Sequence, residues 1–532
     1  MIRFIPFLIV IALLGLSLWG AQSVTWLYGI AAALGALVLL GLFDLVQTRH
    51  TLLRNFPLLG RLRGVAAQLR PFFRSYIVES QTEGRPFNHE ERNMVYNRAR
   101  NVSSVEPFGS HLDIQSPPYE WLAHSVAAIH PEETDPRVLV GAPGTVKPYS
   151  ASVLNISAMS FGSLGAHAIE ALNRGAAKGG FFHDSGEGGV SRYHKAGGGD
   201  LVWELGSGYF GCRAKDGGFD PVQFEETAKL DQVKMIEIKL SQGAKPGHGG
   251  VLPGAKVTPE IAEARGIPVG QTCYSPPHHT AFDSPKGLLD YIDQLRELSG
   301  GKPVGFKLCI GNRWEFLAIC KAMVETGQRA DFIVIDGAEG GTGAAPAEFL
   351  DHVGMPLRQG LIFARNALVG CGLKDDIKLA ASGKQLSAFN MAASLALGAD
   401  WINSARGFMF ALGCVQSLKC HKNTCPTGIA TSDLGRQRGL VVPDKAERVF
   451  HYHKNTVAAL MEVVGAAGCR HPSELAPHHI IHRVTEDEAL PAHLAYELVE
   501  KGELLNAAEN TGLAEVWEMA QASSFAPAEG LD

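Results

Sequence analysis

The 532-residue chain has no excess of positive charge: 48 Lys and Arg against 54 Asp and Glu leave a formal net charge of -6. That removes the electrostatic footprint on which nucleic-acid binding depends. No G-x-G-x-x-G opens a strand–helix unit and no Walker A sequence occurs, so neither a Rossmann nicotinamide domain nor ATP chemistry is indicated. A disulfide framework is missing too. The nine cysteines are odd in number and scattered, and only Cys414, Cys420 and Cys425 cluster. This excludes a secreted disulfide scaffold and fits reduced thiols with a metal or cluster site. Charged residues are sparse at 19% and hydrophobic ones reach 46%, which suits a globular or partly membrane-bound chain rather than a disordered one. What is abundant is glycine. Sixty residues of 532 exceed the usual share of about 7%, and in a chain this long such an excess usually sits in loops that curl around phosphates or let backbone approach a cofactor.

Two long uncharged runs stand at the start, Phe4 to Gly20 and Trp26 to Phe43, separated by AQSVT at 21–25. Each is close to the roughly 20 residues that cross a bilayer core, and Trp19 and Trp26 flank the break where amphipathic rings prefer to sit. A signal peptide fits less well, since Arg3 is a thin n-region and a second apolar run follows at once. The expectation is a transmembrane hairpin over 1–48. From Arg49 to Arg74 there are six arginines and no acidic residue, so this flank and the body of the chain are expected on the cytoplasmic side. A basic juxtamembrane and N-terminal extension is expected over 49–149.

From about 150 to 410, β-rich runs alternate with helical patterns. The candidate strands are 156–160, 181–185, 235–240, 304–310, 332–336, 377–381 and 401–404. This alternation builds a parallel sheet, and the glycine-rich loops after the strands favour an α/β fold, a (β/α)8 TIM barrel. Seven strands of the eight are recognisable; the fourth is not placed, and 186–234 reads as an insertion. Ser382–Gly383 and Arg406–Gly407 follow the last two strands, where a barrel's phosphate cup is built from small residues with free N–H groups. A small helical extension is expected over 436–532, with 440–485 helical and capping the barrel.

Six stretches occur in order: SAMSFGSL (157–164), DSGEGG (184–189), KLSQGAKPGHGGVLPGAKV (239–257), SPPHH (275–279), GAEGGTGAAP (337–346) and CHKNTCPTGIAT (420–431). Together they resemble the FMN-binding synthase domain of the glutamate synthase family, in a stand-alone, membrane-tethered branch, over roughly 150–435. The amidotransferase half with its N-terminal cysteine has no counterpart, position 2 being Ile2, and neither has the C-terminal β-helical domain.

The resemblance implies FMN and a [3Fe–4S] cluster. Cys414, Cys420 and Cys425 reproduce the family's C-x5-C-x4-C spacing as cluster ligands. The residues themselves support a soft iron site, with zinc, using His421, and inert thiols as alternatives. For FMN the resemblance implies Ala158, Met159 and Ser160 under the ring and Lys307 near its N1–O2 edge. Ser382, Gly383, Arg406 and Gly407 would take the phosphate. Gln242, Lys245 and Arg265 are implied as substrate-binding residues, with Lys245, Glu187 and Gln242 forming the catalytic group. A dicarboxylate asks for a guanidinium and a point cation, and a nearby carboxylate can move the protons of imine formation.

The implied reaction is hydride transfer from reduced FMN to 2-iminoglutarate, formed from 2-oxoglutarate and ammonia, giving L-glutamate. The electron donor would be external: ferredoxin, an NAD(P)H-oxidising subunit or a membrane redox partner. Departures leave room for other substrates. The chain reads KPGHGGVLPG where the family usually reads KPGEGGQLPG, placing His248 and Val251, and Glu204 stands where the family tends to carry Gln. The alternatives are a membrane-linked dehydrogenase of amino or N-alkylamino acids with the same cofactors, and a non-catalytic redox relay. His278–His279 reads as a rigid turn, and His478, His479 and His482 as structural.

Overall fold

The computed structural model describes residues 2–103, 105–142 and 145–528; Met1 and residues 529–532, at the ends of the expected first and last segments, lie outside it. The chain divides into two compact units, 1–89 and 90–532, so the expected 49–149 extension is shared between them.

In the first unit the two apolar runs form helices α1 (Ile5–Ala21) and α2 (Leu27–Val46). They pack against each other where Gly41 gives the Phe7 ring its space: a Cβ there would lie 2.2 Å from the ring. Most of their large apolar side chains, such as Leu16, Leu39 and Phe43, face outward. At 20 residues and a mean hydropathy of 2.3, α2 is long and apolar enough to cross a membrane. The expected pair of spans is not matched, because α1 has 17 residues and falls short of that length. Near the end of α2 the buried Asp44 carboxylate accepts both Nε (3.1 and 3.0 Å) and Nη2 of Arg61, which removes the cost of a bare charge there.

The second unit is built on a closed barrel of eight parallel strands. They are β1 (Leu154–Ile156), β2 (His183–Asp184), β3 (Leu201–Leu205), β4 (Val233–Lys239), β5 (Val304–Leu308), β6 (Phe332–Asp336), β7 (Lys378–Ser382) and β8 (Trp401–Ser404). Closure is made by β8 on β1, with Ile402, Asn403 and Ser404 opposite Leu154, Asn155 and Ile156. Helices α3 (Ala166–Gly179), α4 (Pro285–Leu298), α5 (Arg313–Thr326), α6 (Leu357–Gly370) and α7 (Ala388–Ala396) cover the outside. The long α8 (Val442–Ala466) packs on α3, Val449 filling the space beside Gly175.

Three expectations are corrected. The strand missing from the sequence reading is the third, Leu201–Leu205, which lies inside the supposed insertion 186–234. Its LVWEL run is buried at every position, so it shows no in–out alternation, and only the four-residue helix Arg192–Lys195 separates it from β2. The long excursion comes instead between β4 and α4, where 240–284 carries a hairpin pairing Val251–Leu252 with Cys273–Tyr274. The first strand also ends earlier than expected, at Ile156, leaving 157–160 as loop. Beyond α8 the expected helix does not continue: Ile480–Arg483 pairs with Glu120–Leu122 and Ala489–Pro491 in a small sheet.

Side chains alternate along each strand, so every second residue enters the barrel. Near the N-terminal ends these are apolar: Phe182, Val202, Met235, Phe332, Val334, Ala380 and Trp401 form one core, closed below by Val140, Tyr149 and Ala151 of a hairpin. Towards the C-terminal ends the same columns turn polar, with Asp184, Glu204, Glu237, Lys307, Asp336 and Ser382, all buried. At the base Asp331 is the tie. Its carboxylate accepts the N–H of Val304 at 2.8 Å and the Arg296 guanidinium at 3.0 Å, and it also binds Ala142 N–H and the Thr145 hydroxyl.

Asp331→Ala leaves the buried N–H groups of Ala142 and Val304 unmatched and takes one partner from the half-buried Arg296 guanidinium, which keeps Asp293 and the Arg329 carbonyl, so it should cost about 2–4 kcal/mol in denaturant unfolding. A midpoint unchanged within error would show that water replaces the carboxylate.

Candidate active site

The loops after the strands meet over the polar layer and enclose an open cleft of about 1280 Å³, counting its solvent-filled mouth. Its wall gathers residues from across 250 positions of sequence: Ala158, Met159 and Ser160 after β1, Glu187 after β2, Gln242 and Lys245 after β4, and Arg265 from the long excursion. Lys307 of β5, Ser382 and Gly383 after β7, Arg406 after β8 and Cys420 complete it. Gly407 is one position behind the wall. A Cβ there would lie 2.3 Å from the Tyr452 hydroxyl and 2.7 Å from Ser404 Oγ, so packing accounts for that glycine.

One side of the cleft is cationic around a single carboxylate. Lys239 Nζ donates to Glu187 Oε2 at 2.9 Å and to Gln242 Oε1 at 3.1 Å. Lys239 was not singled out in the sequence, although it opens the 239–257 motif at the end of β4. Arg265 is the last residue of helix Pro259–Arg265 and is buried; Nη2 donates to Ser160 Oγ at 3.2 Å, and the guanidinium lies 5.0 Å from the Phe210 ring centroid. Its Nε has no hydrogen-bond partner among the described residues. Lys245 Nζ reaches only the Gly249 carbonyl, at 3.3 Å. Burial opposes ionisation of Glu187, but Lys239, Arg265 and Lys245 outweigh it and hold the carboxyl down at about 2. Burial lowers Lys245 below the ordinary lysine value, only partly offset by Glu187. His279 fixes the ensemble, its ring nitrogens 2.9 Å from the Lys239 carbonyl and 3.1 Å from the Tyr209 hydroxyl, and burial keeps it neutral with a pKa of about 4.

The opposite side is suited to an anion and a planar ring. Gly383 has φ +130, a conformation only glycine adopts readily, and follows the buried Ser382 hydroxyl. Arg406 uses Nη2 on the Thr342 carbonyl (2.9 Å) and Nη1 on Met409 Sδ (3.0 Å), which leaves further donors of its five for an anion. The 186 position must be glycine, since a Cβ there would come within 2.5 Å of Ser160 N. That packs the Glu187 loop directly on the backbone of 158–160. Small residues, backbone groups and a guanidinium at one end, with Lys307 at the floor, fit the phosphate and ring of FMN.

Lys307 is not the unpaired lysine its burial would make costly. Its Nζ pairs with Glu204 and lies 3.0 Å from Glu237 Oε1. Asp184, Glu204 and Glu237 bring carboxylate oxygens within 4.8 Å of one another, the one such group of three or more ligating side chains among the described residues. At an effective dielectric near 20, two carboxylates at that distance repel by about 3.5 kcal/mol. Burial, then Glu237 and Glu204, push Asp184 well above the ordinary carboxyl range, and burial likewise raises Glu237 despite Lys307.

Of the cysteines, Cys420 lines the cleft, Cys414 is half-buried and Cys425 buried. Burial disfavours the Cys425 thiolate, but the Thr427 hydroxyl and the N–H groups of Ala430, Thr427 and Ile429 more than compensate, lowering its pKa. Burial pushes Cys414 up to about 11. The three thiols are absent from any group converging within 4.8 Å among the described residues, which does not suit a single tetrahedral zinc ion.

Residues 126–470 match the conserved region of glutamate synthases. The chain belongs to the glutamate synthase family. It is 36% identical over 483 residues to the glutamate synthase large subunit-like protein YerD of Bacillus subtilis, covering 83% of this chain and 91% of that protein. It is 34% identical over 315 residues to the archaeal glutamate synthase [NADPH] of Methanocaldococcus jannaschii, covering 59% of this chain and 58% of that protein. Among solved structures, a flavocytochrome b2 mutant with pyruvate bound aligns with a TM-score of 0.40 at 13% identity, over 79% of this chain and 85% of that one. As a family member the protein is an oxidoreductase of the class acting on CH–NH2 donors.

Lys239→Met should let burial dominate at Glu187 and raise its pKa by about 1–3 units. Infrared titration, with the band assigned by its loss in Glu187→Gln, checks this. The carboxyl is depressed in the folded state, so its stabilising contribution is present above about pH 4.5 and is lost as pH falls towards 2. In Lys239→Met that contribution should be smaller and its loss complete at a higher pH.

Proposed function

We propose that the protein is an FMN- and iron–sulfur-dependent enzyme of the glutamate-synthase type that reduces 2-iminoglutarate, from 2-oxoglutarate and ammonia, to L-glutamate. The observation that carries this is the trio Lys239, Lys245 and Arg265 around ionised Glu187, opening on the same cleft as Arg406 and Gly383. A redox relay needs no such cradle, whereas a dicarboxylic 2-oxo acid needs two or more cations at fixed spacing.

Bound FMN supplies hydride chemistry. The chain's residues do the rest. Arg265, anchored on Ser160, and Lys239 hold carboxylates, and Gln242 faces the same pocket as a neutral donor and acceptor. Lys245, its ammonium weakened by burial, and Glu187 are placed to move the protons that imine formation requires. Lys307, at the floor, would stabilise negative charge on the ring. Cys414, Cys420 and Cys425 would hold a [3Fe–4S] cluster beside the cleft, with the N–H groups around Cys425 favouring its thiolate. Electrons and nitrogen come from outside: a ferredoxin, an NAD(P)H-oxidising subunit or a membrane redox partner. The apolar helix α2 would tether the catalytic unit to the cytoplasmic membrane, and the six arginines of 49–74 would keep it on the cytoplasmic side.

The test is anaerobic stopped-flow of photoreduced protein mixed with 2-oxoglutarate, ammonium or both. Fast flavin reoxidation only with both is expected; flavin that stays reduced would sink this reading in favour of an amino-acid dehydrogenase. A Cys420→Ser variant should lose bound iron and the broad visible absorbance of a cluster while keeping wild-type far-ultraviolet circular dichroism. Iron retained at the wild-type ratio would remove the cluster assignment.

A further inference from the structure

The carboxyl set under the cleft has more charge than its surroundings can hold. Asp184, Glu204 and Glu237 come from three consecutive strands and are each about 1% exposed, and all have oxygens within 4.8 Å of one another. Against them stands Lys307 from β5. Asp336 on β6 faces the same lysine and adds a fourth carboxyl, while Lys239 on β4 is already paired with Glu187. Full ionisation would leave the layer with a net charge of at least -2, well inside a barrel whose next layer down is Phe182, Val202, Met235 and Trp401. Like charges at this spacing do not all ionise in such a place; they share a proton. A second observation points the same way. Glu237 Oε1 is buried and, among the described residues, has no partner in hydrogen-bond geometry; its one close neighbour is the ion-paired Lys307 Nζ at 3.0 Å. A proton on that carboxyl, or on Asp184 beside it, would supply the missing bond. The set also reaches the cleft, because Glu204 and Lys307 line its floor.

We propose that Asp184, Glu204 and Glu237 form a shared proton store beneath the flavin position, which takes up one proton when the ring above Lys307 gains negative charge. The inference rests on the flavin reading given above. The balance is simple. Two electrons and one proton delivered to bound FMN leave the ring one charge more negative. That charge draws on the Lys307 ammonium, so one carboxylate of the set loses part of its counter-charge and binds a proton from solvent through the cleft. One O–H bond forms on the carboxyl as one O–H bond of the hydronium or water that donates the proton breaks. The electrons come from whatever reduces the flavin, in the test an electrode. The three residues act through Lys307 and are positioning residues for the redox reaction.

The test is spectroelectrochemical titration of the flavin-loaded full chain between pH 6 and about 9, for wild type, Glu237→Gln and Asp184→Asn. The wild-type midpoint potential should change with pH as two protons per two electrons over part of this range, and the variants as one. In parallel, the redox-difference infrared spectrum of the wild type should gain a protonated-carboxyl C=O band on reduction, a readout that needs no variant to fold. That band should be missing in Glu237→Gln. A one-proton slope in the wild type with no carboxyl band would overturn the proposal. So would a two-proton slope and a band that persist in both variants. Protein that neither carries nor binds FMN would overturn the function proposed above as well, whereas flavin-loaded protein with an unresponsive carboxyl set overturns this inference alone.

Discussion

The Lys307 ammonium is the charge on which the interior of the barrel depends. Without it, Glu204, Glu237 and Asp184 would be three carboxyls in one buried layer, and the barrel would have to hold all of them neutral or open to water. With it, the layer sits between an apolar base and a wet mouth, and the strands can carry polar residues inward without losing closure. The lysine is held equally firmly in return, since burial alone would strip its proton, and the carboxylates raise its pKa despite burial. A cation fixed in this way costs no reorganisation when negative charge develops above it, which is the property a flavin floor needs.

The cleft follows from where polarity changes along each strand. Each inward column runs apolar to polar in the chain direction, Val202 to Glu204, Met235 to Glu237 and Lys239, Val334 to Asp336, Ala380 to Ser382. The polar end of a parallel barrel is the end where its βα loops gather, so one gradient repeated on several strands builds both the floor and the walls. The loops then sort by chemistry. Those after β2 and β4 and the long excursion bring Glu187, Lys239, Lys245 and Arg265; those after β7 and β8 bring Ser382, Gly383 and Arg406. The first group sets cations around one carboxylate, and the second sets small residues beside a guanidinium.

Much of the site was legible because its residues sit in motifs whose order is fixed by the barrel. Ala158, Ser160, Glu187, Gln242, Lys245, Arg265, Lys307, Ser382, Gly383 and Arg406 do meet around one cleft. What escaped did so for physical reasons. Strand β3 is buried on both faces and so lacks alternation, and the short helix before it gave no α/β rhythm to place it by. Lys239 reads as an ordinary end-of-strand lysine until the chain folds Glu187 to within 2.9 Å of it. The carboxyl layer is invisible in sequence, because Asp184, Glu204 and Glu237 are spread over 54 positions and meet only when adjacent strands pair in register, Glu204 opposite Glu237. Length told against α1 as a second span, since the apolar run ends at Gly20 and the helix, of 17 residues, at Ala21.

The two sequence departures near the keto-acid loop have different weights once their side chains are located. His248 turns its Nδ1 to the Gly249 carbonyl at 2.9 Å and lies edge-on to Phe349, 5.5 Å between ring centroids, so its ring is occupied by its own loop. Val251 lines the same cleft as Arg265 and Glu187, on the strand that pairs with Cys273–Tyr274. Replacing an amide by an isopropyl group at that wall removes a hydrogen-bonding partner for substrate and adds an apolar surface. It leaves Lys239, Lys245 and Arg265 untouched. Under the proposed function these cations would still hold an acid, while the wall would favour a substrate that is less polar on that side. The question of which oxo or amino acid the enzyme prefers comes down to Val251: a Val251→Gln variant should shift preference towards 2-oxoglutarate by about 1–3 kcal/mol in kcat/KM, the range that one buried hydrogen bond supplies.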